Sequence, residues 1–231
     1  YDGSKYYGWA KQPKFPSVWE EVYNATKKVF GKPLQVLASG RTDRYVHALS
    51  LPVLLRGDDS LDKDYVFEQL NEIMPEHVRV HHIEMVDKDF QVRFDAKGKK
   101  YRYLIDLSCT MDKDYYKHHY YEFDLDKFVK WSKEFIGRKN FASFTSRENY
   151  EDFTRTINDI QIKQEGDLVT FEIVGEGFMR FMVRNIVGCL LAHNRGQIDD
   201  EHLMDLFNNP EKGKAHYKAE GSGLYLVEVY Y

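Results

Sequence analysis

An α+β fold, a mixed or antiparallel sheet with helices packed on it, is what this 231-residue sequence predicts. Three observations carry that expectation. Runs of period 2, such as residues 168–174 and 223–230, are interspersed with runs of period 3.6, such as residues 18–29 and 63–73. Two neighbouring strand patterns, 157–163 and 168–174, are separated by Glu165-Gly166-Asp167, a hairpin signal and not a helical crossover. No long repeat or low-complexity linker divides the chain, so the elements pack as one domain or as two small halves, 1–106 and 107–231, acting as one unit.

In chain order, Tyr1 to Trp9 reads as a strand end running into a loop punctuated by Gly3 and Gly8, so a few residues of a first strand are expected ahead of it. Ser17-Val18-Trp19-Glu20 is a capping box. Val18, Val22, Ala25 and Val29 mark one face of a helix that ends near Phe30-Gly31. Val36 to Ala38 suit a buried strand, and residues 48–56 a second in which Pro52 marks an edge or bulge. Residues 63–73 form a helix on Val66, Leu70 and Ile73, and 78–86 read as a strand. His77, His81 and His82 lie there without a second ligand set at a recognisable spacing, so they read as solvated histidines and not as a metal site. Tyr101, Tyr103 and Ile105 alternate on a strand. A capped helix over 124–136 turns Leu125, Phe128, Val129 and Ile136 inward, and residues 145–153 read as an exposed loop. An apolar helix follows Gly175 and Gly177, and a capped helix over 199–207 precedes the closing strand.

Composition excludes several classes. No apolar run approaches the roughly 18–20 residues that a spanning helix needs, and the opening residues lack a signal-peptide pattern. Cys109 and Cys189 fit neither a zinc pattern nor a redox pair, which points to a reducing cytoplasm. The sequon Asn24-Ala25-Thr26 falls inside a predicted helix and is discounted. Net charge is −4 with a pI near 6.2, so any polyanion must be met by charge gathered locally. Arg41, Arg44, Lys97, Lys99, Lys100, Arg102, Arg180 and Arg184 could build that patch, away from the acidic runs at 58–64 and 199–201. Most of the 17 tyrosines and 15 phenylalanines are read as core.

Chemistry concentrates in three stretches. In the first, a strand breaks at Ser39-Gly40, and Arg41 and Asp43 follow two positions apart. If the chain is extended there, both side chains leave on one side, and the cation keeps the carboxylate ionised, as a nucleophile requires. A surface ion pair without chemical consequence fits the same spacing. In the second, Lys99-Lys100-Tyr101-Arg102-Tyr103 places basic and aromatic side chains on one strand; Tyr101 as plain core is equally compatible. In the third, Arg180 and Arg184, spaced i, i+4, share a face of an apolar helix, a costly arrangement unless a partner is present. For Arg180, a snorkelling surface side chain fits as well.

Taken together, Ser39-Gly40-Arg41-Thr42-Asp43 with Val46-His47-Ala48, the opening Tyr1-Asp2-Gly3, Phe90-Gln91-Val92-Arg93-Phe94, the Tyr101-x-Tyr103 pair, Asn140 to Phe144, Arg155-Thr156-Ile157 and Val183-Arg184-Asn185 resemble the tRNA pseudouridine synthase A family, in family order along nearly the whole chain. The resemblance implies the pseudouridine synthase fold: two ferredoxin-like halves sharing a sheet, with a central cleft. It implies isomerisation of uridine to pseudouridine in the anticodon stem-loop of tRNA, at uridines 38 to 40, by a homodimer that needs no cofactor and no metal. On it, Asp43 is the catalytic residue, Arg184 pairs with it, and Tyr101 packs on the flipped uracil. Arg41, Arg44, His47, Lys100, Arg102 and Arg180 contact the RNA. Whether Asp43 acts by addition or by proton abstraction to a glycal is open. A fold-retaining tRNA-binding or chaperone protein without turnover is the alternative; a nuclease lacks its paired carboxylates or histidines. The chain departs from the family at Trp19, where Gln is usual, at Gln91 and Val92, where His and Ala are usual, and at Arg44-Tyr45, where a small residue and Gly are usual. Either the backbone differs at Tyr45, or the position never required positive φ.

Overall fold

The computed structural model describes residues 1–57, 60–108, 122–146 and 150–231. Cys109, part of the first acidic run and the centre of the 145–153 loop lie outside the described residues. The chain forms two compact units, Tyr1–Ala96 with Tyr231, and Lys97–Tyr230.

In the first unit, α1 (Val18–Phe30) and α2 (Lys63–Ile73) pack with the antiparallel pair β1 (Gln35–Ala38) and β3 (Val53–Arg56). Tyr6, Trp9, Val18, Ala25, Val36, Val66, Leu70 and Met74 make the core. The caps of α1 are those the sequence predicts. Ser17 Oγ accepts from the Glu20 amide at 3.4 Å and donates to Glu20 Oε2 at 3.0 Å, and Gly31 closes α1 in the left-handed region at φ 67°. Asp62, from the first acidic run, caps α2.

Two strand expectations fail in this unit. Residues 48–56 are not one strand: β2 covers only His47–Ala48, and β3 begins after Pro52. Proline has no amide to give a ladder, and the Pro52 carbonyl instead accepts from the Ser39 amide at 3.0 Å. Residues 78–86 form no strand at all. Val78 is buried and Val80 and Ile83 pack on the core, but the backbone here is held by side chains. Asn71 donates to the Val80 carbonyl at 3.0 Å and accepts from its amide at 2.9 Å, standing in for a neighbouring strand, while Arg79 donates to the carbonyls of Asn71 and Met74. His77 bonds the Tyr6 hydroxyl at 2.9 Å.

In the second unit, β4 (Gly98–Asp106), β5 (Gly137–Asn140), β6 (Thr154–Glu165), β7 (Leu168–Gly175) and β8 (Leu224–Tyr230) lie in the order β8-β4-β7-β6-β5, each pairing antiparallel. The β6–β7 hairpin closes over Gly166-Asp167 with Gly166 at φ 59°. Strict alternation along β7 puts Val169, Phe171 and Ile173, all fully buried, on one face. Helices α3 (Leu125–Ser132), α4 (Met182–Asn194) and α5 (Asp200–Asn208) complete the unit. The helix expected over 124–136 is α3 plus a 3-10 turn, Lys133–Phe135, and that tightening brings Phe135 inward in place of Ile136. Asp199, from the second acidic run, caps α5, as Asp62 from the first run caps α2.

Helix α4 buries 11 of its 13 residues. Gly188 makes this possible, since a Cβ there would stand 2.5 Å from the Tyr217 carbonyl oxygen. The thiol of Cys189, on the same helix, is pushed up to about 12 by burial and is not a reactive group.

Candidate active site

In the first unit, the loop after β1 lies on the opening segment, backbone against backbone. The Trp9 amide donates to the Thr42 carbonyl (3.2 Å), the Tyr45 amide to the Tyr6 carbonyl (3.3 Å), and the Val46 amide to the Asp43 carbonyl (3.1 Å). Glycine permits the approach: a Cβ on Gly3 would stand 2.1 Å from the Val46 oxygen, and one on Gly8, at φ 94°, 2.5 Å from the Thr42 oxygen. Thr42 is buried and hydrogen-bonded to the Tyr1 hydroxyl at 2.7 Å, while Arg41 is exposed and Asp43 half-buried, the alternation of an extended segment. Gly8→Ala should therefore destabilise the first unit by about 2–4 kcal/mol, through positive φ plus a backbone clash. Urea unfolding would read this as a lower midpoint at unchanged slope.

Tyr45 answers the question raised by the sequence. It takes φ 67°, so the position does require a left-handed backbone, and a tyrosine occupies it. The strain costs about 1–2 kcal/mol. Contacts offset it: the Arg44 guanidinium sits 4.2 Å from the Tyr45 ring and 4.1 Å from the Tyr7 ring and bonds the Tyr45 hydroxyl. Each such cation–π contact contributes about 0.5–1 kcal/mol at exposed sites. His47 is buried, its Nδ1 accepting from the Gly3 amide at 3.0 Å and lying 3.1 Å from Asp2 Oδ1.

In the second unit, half-buried Tyr101 meets Phe178 edge-on, with centroids 5.2 Å apart. Gly175 seats that ring, since a Cβ there would stand 3.0 Å from it. The β4–β8 register slips between Lys100 and Tyr101, a bulge beside the site candidate. Arg180 is not on α4. Phe181, the residue before the helix, takes φ 62° and breaks the turn, so the i, i+4 relation with Arg184 does not hold. Both guanidiniums nevertheless lie against the Phe181 ring, at 4.8 and 5.4 Å, and Lys218 joins them at 4.2 Å. Arg184 is half-buried in the first turn of α4, its Nε donating to the Ala219 carbonyl at 2.8 Å. A cation at that end opposes the helix dipole, so this position favours a nearby anion. Burial pushes the Tyr103 hydroxyl up, opposed by the Arg184 charge, and the hydroxyl donates to the Glu220 carbonyl at 3.1 Å.

Lys100 and Arg102 share one carboxylate, Glu172, each at 2.7 Å. Partial burial alone would push Glu172 up; the hydrogen bonds and charges of Lys100 and Arg102 outweigh it and hold it below its ordinary value. A carboxylate held low in the folded chain stabilises the fold above its unfolded value of about 4.3, and that contribution is lost as pH falls through the lower folded value. Glu172→Gln should thus be less stable than wild type at pH 7, and the gap should close in acid. Urea midpoints from pH 7 to pH 3 check this.

The residues that sequence reasoning did not single out are Tyr7 and Phe15, stacked at 4.0 Å and 11°, together with Phe178, Phe181 as a cation-bearing ring, and Lys218. Phe178 and Phe181 stood within a conspicuous motif; Tyr7, Phe15 and Lys218 carried no periodic or spacing signal.

A family model described as tRNA pseudouridine synthase matches residues 132–231. The tRNA pseudouridine synthase A of Mycoplasmoides gallisepticum is 37% identical, over all of this chain and 88% of its own length. That of Malacoplasma penetrans is 37% identical over all of this chain and 97% of its own, and that of Acetivibrio thermocellus 33% over all and 96%. With matches at this level of identity covering the full length, the chain belongs to the tRNA pseudouridine synthase A family.

Proposed function

We propose that this tRNA pseudouridine synthase isomerises uridines of the anticodon stem-loop with Asp43 as its catalytic carboxylate, Arg184 as the cation that keeps it ionised, and Tyr101 as the ring packed on the flipped uracil. The observation that supports it most is the rigid seating of the Asp43 loop. Two backbone hydrogen bonds to the opening segment, one within the loop and two close glycine contacts fix it before substrate arrives, as preorganised catalysis requires. The C1′–N1 bond breaks, the uracil turns, C5 bonds to C1′, and the C5 proton leaves while N1 gains one. Redox state does not change. Asp43 acts on the sugar or the base by addition or by proton abstraction. Extracting the base costs a few kcal/mol, least in a loop or at a helix end, which suits a stem-loop target.

Arg41, Arg44 and Arg180 supply phosphate contacts in this reading, and two copies of the chain hold one tRNA in the cytoplasm. Lys100 and Arg102 contribute one net positive charge beyond Glu172, and His47 supports the loop from within. The testing experiment is mapping of pseudouridine in a tRNA transcript after incubation with the chain. Pseudouridine confined to the anticodon stem-loop is expected; its formation elsewhere would overturn the target, and none at all the reading.

A further inference from the structure

We propose that the ladder Phe15, Tyr7, Arg44, Tyr45 is a stacking subsite for a second nucleobase of the tRNA, an unpaired one adjacent to the uridine being isomerised. This rests on Asp43 marking the reaction centre. Four flat groups follow one another: Phe15 lies parallel to Tyr7 at 4.0 Å, and the Arg44 guanidinium is 4.1 Å from Tyr7 and 4.2 Å from Tyr45. The series stays accessible, with Phe15 48% and Tyr45 37% exposed. Burial alone does not account for rings left open, and Tyr45 holds its place on a backbone that glycine would adopt without strain. A cost accepted to present an aromatic face beside a candidate catalytic residue points to a ligand for that face.

The chemistry selects a nucleobase. Every base offers a π-face to an aromatic ring whatever its sequence, and a guanidinium within the stack adds cation–π attraction and a charge for the neighbouring phosphate. Reach agrees as well. Tyr45 lies two positions after Asp43, a span of at most about 7 Å, so a base on Tyr45 belongs to a nucleotide next to the target.

The test uses the full chain carrying Asp43→Ala, which removes turnover, and a tRNA with 2-aminopurine beside the target uridine. Quenching on binding is expected. Adding Tyr45→Gly, which suits φ 67°, should abolish the quenching and weaken binding about tenfold, whereas Tyr45→Phe should preserve both. Phe15→Ser, at an exposed position, should weaken binding in the same direction. Unchanged quenching and affinity in the glycine variant, or equal loss in the phenylalanine variant, would overturn the subsite. Tritium release from C5-labelled tRNA by the unsubstituted chain is measured in parallel. Quenching without release would leave the subsite standing and sink the proposed reaction; release without quenching would do the reverse.

Discussion

Asp43→Ala should lower pseudouridine formation by at least about 10⁴-fold, the scale on which removal of a central catalytic group acts, while leaving tRNA bound. The expectation follows from where the carboxylate stands. Its backbone belongs to a loop pinned through Thr42 and Tyr45 to residues 9 and 6 and closed on itself by the Val46 amide, so truncation at Cβ removes chemistry without releasing the loop. Tritium release from uracil C5 reports turnover and filter binding reports affinity. Release at a rate near wild type would show that another group performs the reaction. Parallel loss of affinity and urea midpoint would show that Asp43 is structural.

Arg184→Met should lower kcat by about 10²–10³-fold, as expected for removal of a preorganised charge, with a small change in KM. The substitution keeps the aliphatic stem of the side chain but gives up the guanidinium's approach to the Phe181 ring and its bond to the Ala219 carbonyl. The Ala219 amide still donates to the backbone oxygen of residue 184, at 3.0 Å in the native chain, so the segment beside α4 stays docked. The guanidinium and the contacts it makes are what is lost. A kcat within threefold of wild type would separate Arg184 from the reaction. A urea midpoint that falls as far as the rate would assign it to folding instead. Arg184→Lys should recover part of kcat, since charge returns without the fork of donors.

What could be read from the sequence depended on how far apart the interacting groups are. Ser17, Asp124 and Asp199 cap helices because a cap is decided within three residues, and the hairpin over Gly166-Asp167 is decided within two. Residues 78–86 misled because apolar side chains report burial, not what bonds the backbone; Asn71 took the role of a strand, and no pattern announces that. The supposed i, i+4 pair failed because one aromatic residue, Phe181, adopts a backbone its type rarely takes. Tyr45 does the same. At the candidate site, Asp43, Tyr101 and Arg184 stood in recognisable strings, but the Phe15–Tyr7 stack and the approach of Lys218 to Phe181 join residues with no shared motif. Such contacts exist only after folding.

The double hydrogen bond between Asn71 and Val80 makes the stretch beyond α2 depend on one side-chain amide. Hydrolysis of that amide to a carboxylate would set a negative oxygen against the Val80 carbonyl where a donor now stands, turning an attraction into a repulsion. The irregular stretch beyond α2 would then lose its latch while the helix beneath it kept its own bonds. Such damage would loosen one edge of the first unit.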